Sequence, residues 1–299
     1  MSGAPDRLAQ IDRQGRIALL DLVKSPTHEA RLAFPSLMKR VLERSGGRLA
    51  WAGSVDHQLI GTGSEDFDDI LISEFPNREA CALALAERAA WDPETFVGEI
   101  RSMLTERWPT PLRWVVRAAF GLRALRGGGP PPYDPASEDQ PTFEQVEMGA
   151  PEFGPTREQF EVLQGADLQN RVVMVNFLEF RKRARYGEQE GDEQTRHAEP
   201  IKKAGTGVSG RAAYGRYSAN TIKIVGRLGG RIRWAGGRAR ALSERPEPAW
   251  MQIALMEYPS RAHFIGMLRD EAYQAGTPHR DAGLERTEII ACTSHAAFY

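Results

Sequence analysis

Four residues carry the clearest case for chemistry: Asn176, Tyr217, His279 and Arg280. Asn176 interrupts the apolar run VVMVNFLEF. A buried amide needs hydrogen-bond partners. It either ties its strand to a neighbouring loop or points into a pocket and holds a substrate carbonyl or oxyanion. Tyr214 and Tyr217 lie three apart and share one face of a helix. Their rings either pack on a sheet with the hydroxyls at its rim, or one phenol donates a proton or hydrogen bond to a ligand. His279 and Arg280 are adjacent in GTPHRDAG. An imidazole can act as acid or base near neutrality. A guanidinium offers a planar fork to an acidic group. The alternative for this pair is a surface turn that it caps or salt-bridges with Asp281. Together the four suit isomerisation, cyclisation, elimination or cofactor-free oxygenation. Asn176 and Tyr217 would orient a carbonyl or phenolic oxygen, His279 would shuttle a proton, and Arg280 would hold an acidic group.

Tyr214, Trp234, Glu257 and Tyr258 are the candidate ligand-binding residues around them. Trp234 matches Trp51 elsewhere in the chain, which also suits a packing role. Glu257 matches Glu74, and both precede a proline where a following helix could be capped. The histidines are scattered without metal-ligand spacing, so no metal is expected. The string GTGVSG at Gly205 follows a polar stretch and not a strand, which is weak support for phosphate binding. No GxSxG elbow occurs.

Composition narrows the field. Hydrophobic residues make up 41% and charged residues 26% of the 299 residues, an ordinary globular balance. Lys plus Arg (39) nearly equals Asp plus Glu (40), so no global field attracts nucleic acid or an anionic membrane. The local basic run Arg227, Arg231, Arg233, Arg238 and Arg240 is either a solvated strand face or a contact for an anion. The two cysteines, Cys81 and Cys292, sit in apolar stretches and are expected to be buried thiols. The first residues, MSGAPDRLAQIDRQGR, have no apolar core of a leader, and no run of 18 apolar residues exists. A reducing cytoplasm is the simplest compartment.

The elements that position these residues emerge from an internal repeat. GGRLAWAG at Gly46 and GGRIRWAG at Gly229 share six of eight residues at an offset of 183. The same offset pairs Glu74 with Glu257, Phe75 with Tyr258 and Pro76 with Pro259. Nearer the start, IALLDLVK at Ile17 resembles VVMVNFLEF at an offset of 155, which sets Asp21 against Asn176. The second copy therefore holds 28 extra residues, in the polar stretch 181–207. Each copy reads as strand, helix, two strands, helix, strand, the ferredoxin-like βαββαβ order. In copy two the strands are expected over 171–180, 231–241, 250–258 and 284–293. Helices follow the caps Ser209 and Ser260, the latter running over SRAHFIGMLRDEAY. In copy one the strands are expected at 17–23, 49–60, 69–75 and 112–122, with helices after Thr27 and Asn77. The expected organisation is a first, degenerate unit at 12–125, a Gly/Pro-rich linker at 126–155, and a second unit at 156–299 opened by a helix at 156–164. A lone four-stranded unit has one bare sheet face, and two such faces packed together make a closed barrel-like core.

Copy two carries VNFLEF, AYGRY, GGRIRWAGG and MEYPSRAHFIGMLRDEAYQAGTPHRDAGLE. With these it resembles the domain-of-unknown-function 1330 family of the dimeric α/β-barrel superfamily. It implies an α+β fold with a pocket between sheet and covering helices. The wider superfamily holds cofactor-free monooxygenases, small isomerases and cyclases, and haem enzymes, and fold alone does not choose among them. Copy two has the richer set of polar side chains and is expected to hold the site. The leading expectation is a cofactor-independent enzyme with a small-molecule substrate and no nucleic-acid or membrane partner. It would be a monomer with an internal pseudo-dimer, or a homodimer. The alternatives are a non-covalent haem-binding protein with a histidine ligand, and a non-catalytic ligand-binding or assembly module that uses the polar excursion.

Overall fold

A computed structural model of the chain describes residues 17–61, 66–89, 98–108, 141–146, 149–186, 207–242 and 249–295. Eight strands close into one antiparallel barrel in the order β1-β3-β2-β8-β5-β7-β6-β4. They are β1 (Ile17–Lys24), β2 (Arg48–Ile60), β3 (Asp69–Phe75), β4 (Glu99–Arg107), β5 (Val172–Phe180), β6 (Arg231–Ala241), β7 (Trp250–Tyr258) and β8 (Leu284–Ser294). Each half of the chain supplies four neighbouring strands in the same spatial sequence, β4-β1-β3-β2 and β8-β5-β7-β6. The seams are β2 with β8 and β4 with β6. Closure leaves no edge strand to be covered or charged.

Period-two alternation explains the layers. Ala18, Leu20 and Leu22 of β1 point into the barrel, where they meet Val173, Val175 and Phe177 of β5. Trp51 and Trp234 lie in the same interior cluster. Burying each of these large side chains contributes about 1.5–3 kcal/mol. The alternate residues of β1, Ile17, Leu19 and Val23, face outward under α1 (His28–Ser45) and α2 (Arg78–Ala89). The outer face of the second half is covered by α3 (Arg157–Gly165), α4 (Gly210–Arg227) and α5 (Arg261–Met267), followed by α6 (Glu271–Gln274) and α7 (Thr277–Gly283). Caps define the helix starts: Thr27, Asn77, Thr156, Ser209 and Ser260 each accept a backbone N–H. Gly46 (φ 69°) and Gly229 (φ 76°) turn the chain from α1 and α4 into the following strands. That is why the GGR string recurs.

Three expectations are corrected. The last strand of the first half is Glu99–Arg107, not 112–122, which lies outside the described residues. Its charged residues alternate with Ile100, Met103 and Leu104, so it has no apolar run. The helix expected over 260–273 is broken, because the Asp270 carboxylate accepts the N–H groups of Ala272 and Tyr273 and starts α6. The GTPHRDAG stretch forms α7, with Pro278 in its first turn, where proline costs no hydrogen bond. Most of the 126–155 linker and the 181–207 excursion lie outside the described residues. Among the described residues no helix is long and apolar enough to cross a membrane.

Candidate functional site

A cavity of about 130 Å³ lies between the outer face of the second-half strands and α4, α5 and α7. That is room for about four waters at their liquid density, or one small organic molecule. Its floor is the outward row of β5 and β7, including Met174, Asn176, Ala254 and Met256. Its roof carries Tyr214, Tyr217, Ser218 and Thr221 from successive turns of α4. The first half contributes too: Leu59 and Ile60 at the end of β2, and Trp108 just after β4, complete the wall.

The polar side chains are few and specific. Tyr217 donates to the Tyr273 hydroxyl at 3.3 Å, and the Tyr214 ring stacks near Tyr217 with centroids 5.3 Å apart. Burial pushes the Tyr214, Tyr217 and Tyr258 phenols well above the ordinary tyrosine range, so all three stay neutral donors. The Tyr258 hydroxyl reaches Met267 Sδ at 3.8 Å. Arg280 is 6% exposed and lines the same cavity. Burial opposes its charge, but the Asp281 carboxylate close by favours it, and it remains a cation. Its Nε lies 3.9 Å from Asp281 Oδ1, while Asp281 Oδ2 accepts the Ala150 N–H at 2.6 Å. Burial raises the Asp281 carboxyl above its ordinary value. Asn176 spends its amide hydrogens on Met174 O (2.8 Å) and Ala254 O (3.1 Å). The group it can turn to a ligand is therefore the acceptor Oδ1, and the oxyanion-holding role drawn from sequence does not fit this geometry.

Backbone proximity sets the roof. A Cβ on Gly283 would stand 2.5 Å from Gly210 O and 2.8 Å from Tyr214 N. Glycine at this crossing lets α7 lie against the first turn of α4, which brings Arg280 beside the tyrosines.

The structure thus brings Asn176, Tyr214, Tyr217, Tyr258 and Arg280 to one cavity and leaves out three other expected residues. His279 is outside the lining; its Nδ1 meets the Tyr186 hydroxyl at 2.9 Å, and burial with Arg216 nearby lowers its pKa. Neighbouring residues on a helix face apart, so Arg280 turns inward and His279 does not. Trp234 is inside the barrel, where its indole donates to Glu74 Oε1 at 2.9 Å. Glu257 is held by Arg231 (2.7 Å), Arg233 (2.7 Å) and Arg171 (3.4 Å). Neither Glu257 nor Glu74, which binds Arg48 and Arg107, caps a helix. Much of the basic run is consumed in such pairs, including Arg227 with Asp270 and Arg238 with Glu106. Among the described residues no histidine lines the cavity. Sequence reasoning misses Tyr273 and Trp108. Tyr273 sits just past the Asp270 cap, and Trp108 reaches the site only through barrel closure.

The matching place in the first half is filled. Asp21, outward on β1 as Asn176 is on β5, is fully buried. Arg88 of α2 donates to it twice, at 3.0 and 3.1 Å, and the Ser102 hydroxyl donates at 2.6 Å.

Residues 204–293 match the family described as a domain of unknown function, DUF1330. No curated protein matches the chain. Similar solved structures include a protein of unknown function from Rhodopseudomonas palustris, with 28% identity over 46% of this chain and 92% of that one and a TM-score of 0.38. A haem-binding protein from Thermus thermophilus is 12% identical over 93% of this chain and 91% of that one, with a TM-score of 0.40. An anthrone oxidase-like protein is 12% identical over 94% of this chain and 92% of that one, with a TM-score of 0.39.

Proposed function

We propose that the chain is an enzyme that needs no metal or nucleotide and acts on a small, partly apolar organic molecule in the second-half cavity. One observation carries this reading. Neutral tyrosines and a buried arginine converge on an otherwise apolar hollow, while the equivalent place in the other half is plugged by Asp21 and Arg88. Donors and a cation fixed in a water-poor cavity stabilise negative charge that develops on a carbonyl or phenolic oxygen. Isomerisation, cyclisation, elimination and cofactor-free oxygenation all pass through such charge. The wall supplies charge stabilisation; the proton-shuttle role goes to no group on it, because His279 stands outside. We infer further that the halves are two copies of one unit, which meet as a pseudo-dimer within one chain. The repeated GGR string and the matched strand order support this.

The test is turnover of a panel of phenols and enolisable ketones, followed by ultraviolet absorbance in chelator-treated buffer. Wild type is expected to convert at least one of them. Tyr273→Phe, which removes the hydroxyl that accepts from Tyr217 and has its own hydrogen to give, should slow it by about 100–1000-fold, the range for losing one such donor. Turnover that survives filling the cavity with Ala254→Trp would sink the proposal, as would no turnover at all.

A further inference from the structure

The plugged half indicates what the open half binds. Asp21 and Asn176 hold equivalent places: Asp21 lies between β3 and β4 partners Leu71 and Ser102, and Asn176 between β7 and β8 partners Ala254 and Ile289. Both project outward, toward the helices that cover their half. In each half a buried arginine descends from the helical segment that follows the third strand, Arg88 from α2 and Arg280 from α7. In the first half the strand itself provides a carboxylate, and a fork of two N–H groups plus the Ser102 hydroxyl satisfies it. In the second half the strand provides a neutral amide whose hydrogens are spent on backbone carbonyls, and a cavity opens beside it.

We infer that the cavity's ligand is a small carboxylic acid bound against Arg280, its carboxylate taking the part that Asp21 plays for Arg88. A guanidinium matches a carboxylate in two parallel hydrogen bonds. The remainder of the ligand is apolar and flat enough to lie among Met174, Met256 and the Tyr217 ring. This inference rests on the cavity being the site, as proposed above, and adds the class of molecule that fills it.

The experiment is calorimetric titration of the full chain with benzoate and with its neutral isostere benzamide. Benzoate is expected to bind on the order of tenfold or more tighter, the worth of a charge-assisted bond. Arg280→Gln should abolish that preference. Arg280→Lys, which keeps the cation but loses the planar fork, should reduce the preference without abolishing it, so the question stays answerable if Arg280→Gln does not fold. Benzamide bound as well as benzoate, and excluded by Ala254→Trp, would overturn the carboxylate inference and leave the cavity reading standing. Benzoate bound equally by wild type and Ala254→Trp would overturn both. Absence of binding by either compound at millimolar concentration would overturn the inference.

Discussion

Changing Asp21 to Asn tests the internal plug of the first half. The Asp21 carboxylate has no exposure and the Arg88 side chain is 6% exposed, so solvent screens neither charge. The amide keeps the shape of the carboxylate but removes its charge, and its NH₂ faces the guanidinium N–H groups. Arg88 is left as a buried cation with at most one good acceptor. Breaking one partner of a buried pair costs about 3–5 kcal/mol. Urea unfolding followed by circular dichroism should show the unfolding free energy lower by that amount, seen as a lower midpoint at unchanged slope. Replacing both partners with apolar residues, as Asp21→Leu with Arg88→Met, should recover most of the loss, because two desolvated charges disappear together. A change below about 0.5 kcal/mol for Asp21→Asn, typical of a surface substitution, would refute the claim that this pair fills the first-half site.

Four further outcomes follow from the same contacts. Trp234→Phe removes a donor from the buried Glu74 carboxylate and should cost about 1–3 kcal/mol in the same urea assay. Gly283→Ala forces a Cβ into the α4 backbone and should cost about 1–3 kcal/mol while weakening benzoate binding, since it displaces the helix that carries Arg280. Burial holds the His57 and His279 imidazoles below their ordinary value, so the unfolded chain takes up protons that the folded chain refuses. Stability should therefore fall as pH drops from about 7.5 through the unfolded value near about 6.5, and melting temperatures that rise over this window would contradict it. His279→Ala should leave benzoate affinity unchanged in calorimetry, because the imidazole faces Tyr186 and not the cavity.

Local pattern made much of the fold legible. The apolar runs of β1 and β5, the capping residues Thr27, Asn77, Ser209 and Ser260, and the paired glycines after α1 and α4 all act within a few residues of themselves. Asn176 and Tyr217 were legible for a similar reason: a polar residue in an apolar strand, and a phenol on a helix face, have few places to go. What escaped depends on distant contacts or on competition between nearby groups. β4 carries charges because only part of it is covered, and a more apolar neighbouring segment resembled a strand better. Asp270 competes with the helix for its own backbone donors and so moves Tyr273 onto the cavity wall. Separating inward Arg280 from outward His279 required knowing that GTPHRDAG is helical. Arg88 could not be matched to Asp21 from spacing, since 67 residues separate them and the barrel brings them together. Trp234, matched to Trp51, belongs to the interior core, as repetition of a large aromatic in both halves suggested.

The most direct test of the account compares native with denatured mass spectra, after wild type and Ala254→Trp are each incubated with a library of small acids and phenols. The account predicts one small organic molecule per wild-type chain, released on denaturation and missing from Ala254→Trp. A wild-type chain that retains nothing, or a bound molecule that Ala254→Trp keeps, would contradict the placement of the site in the second-half cavity.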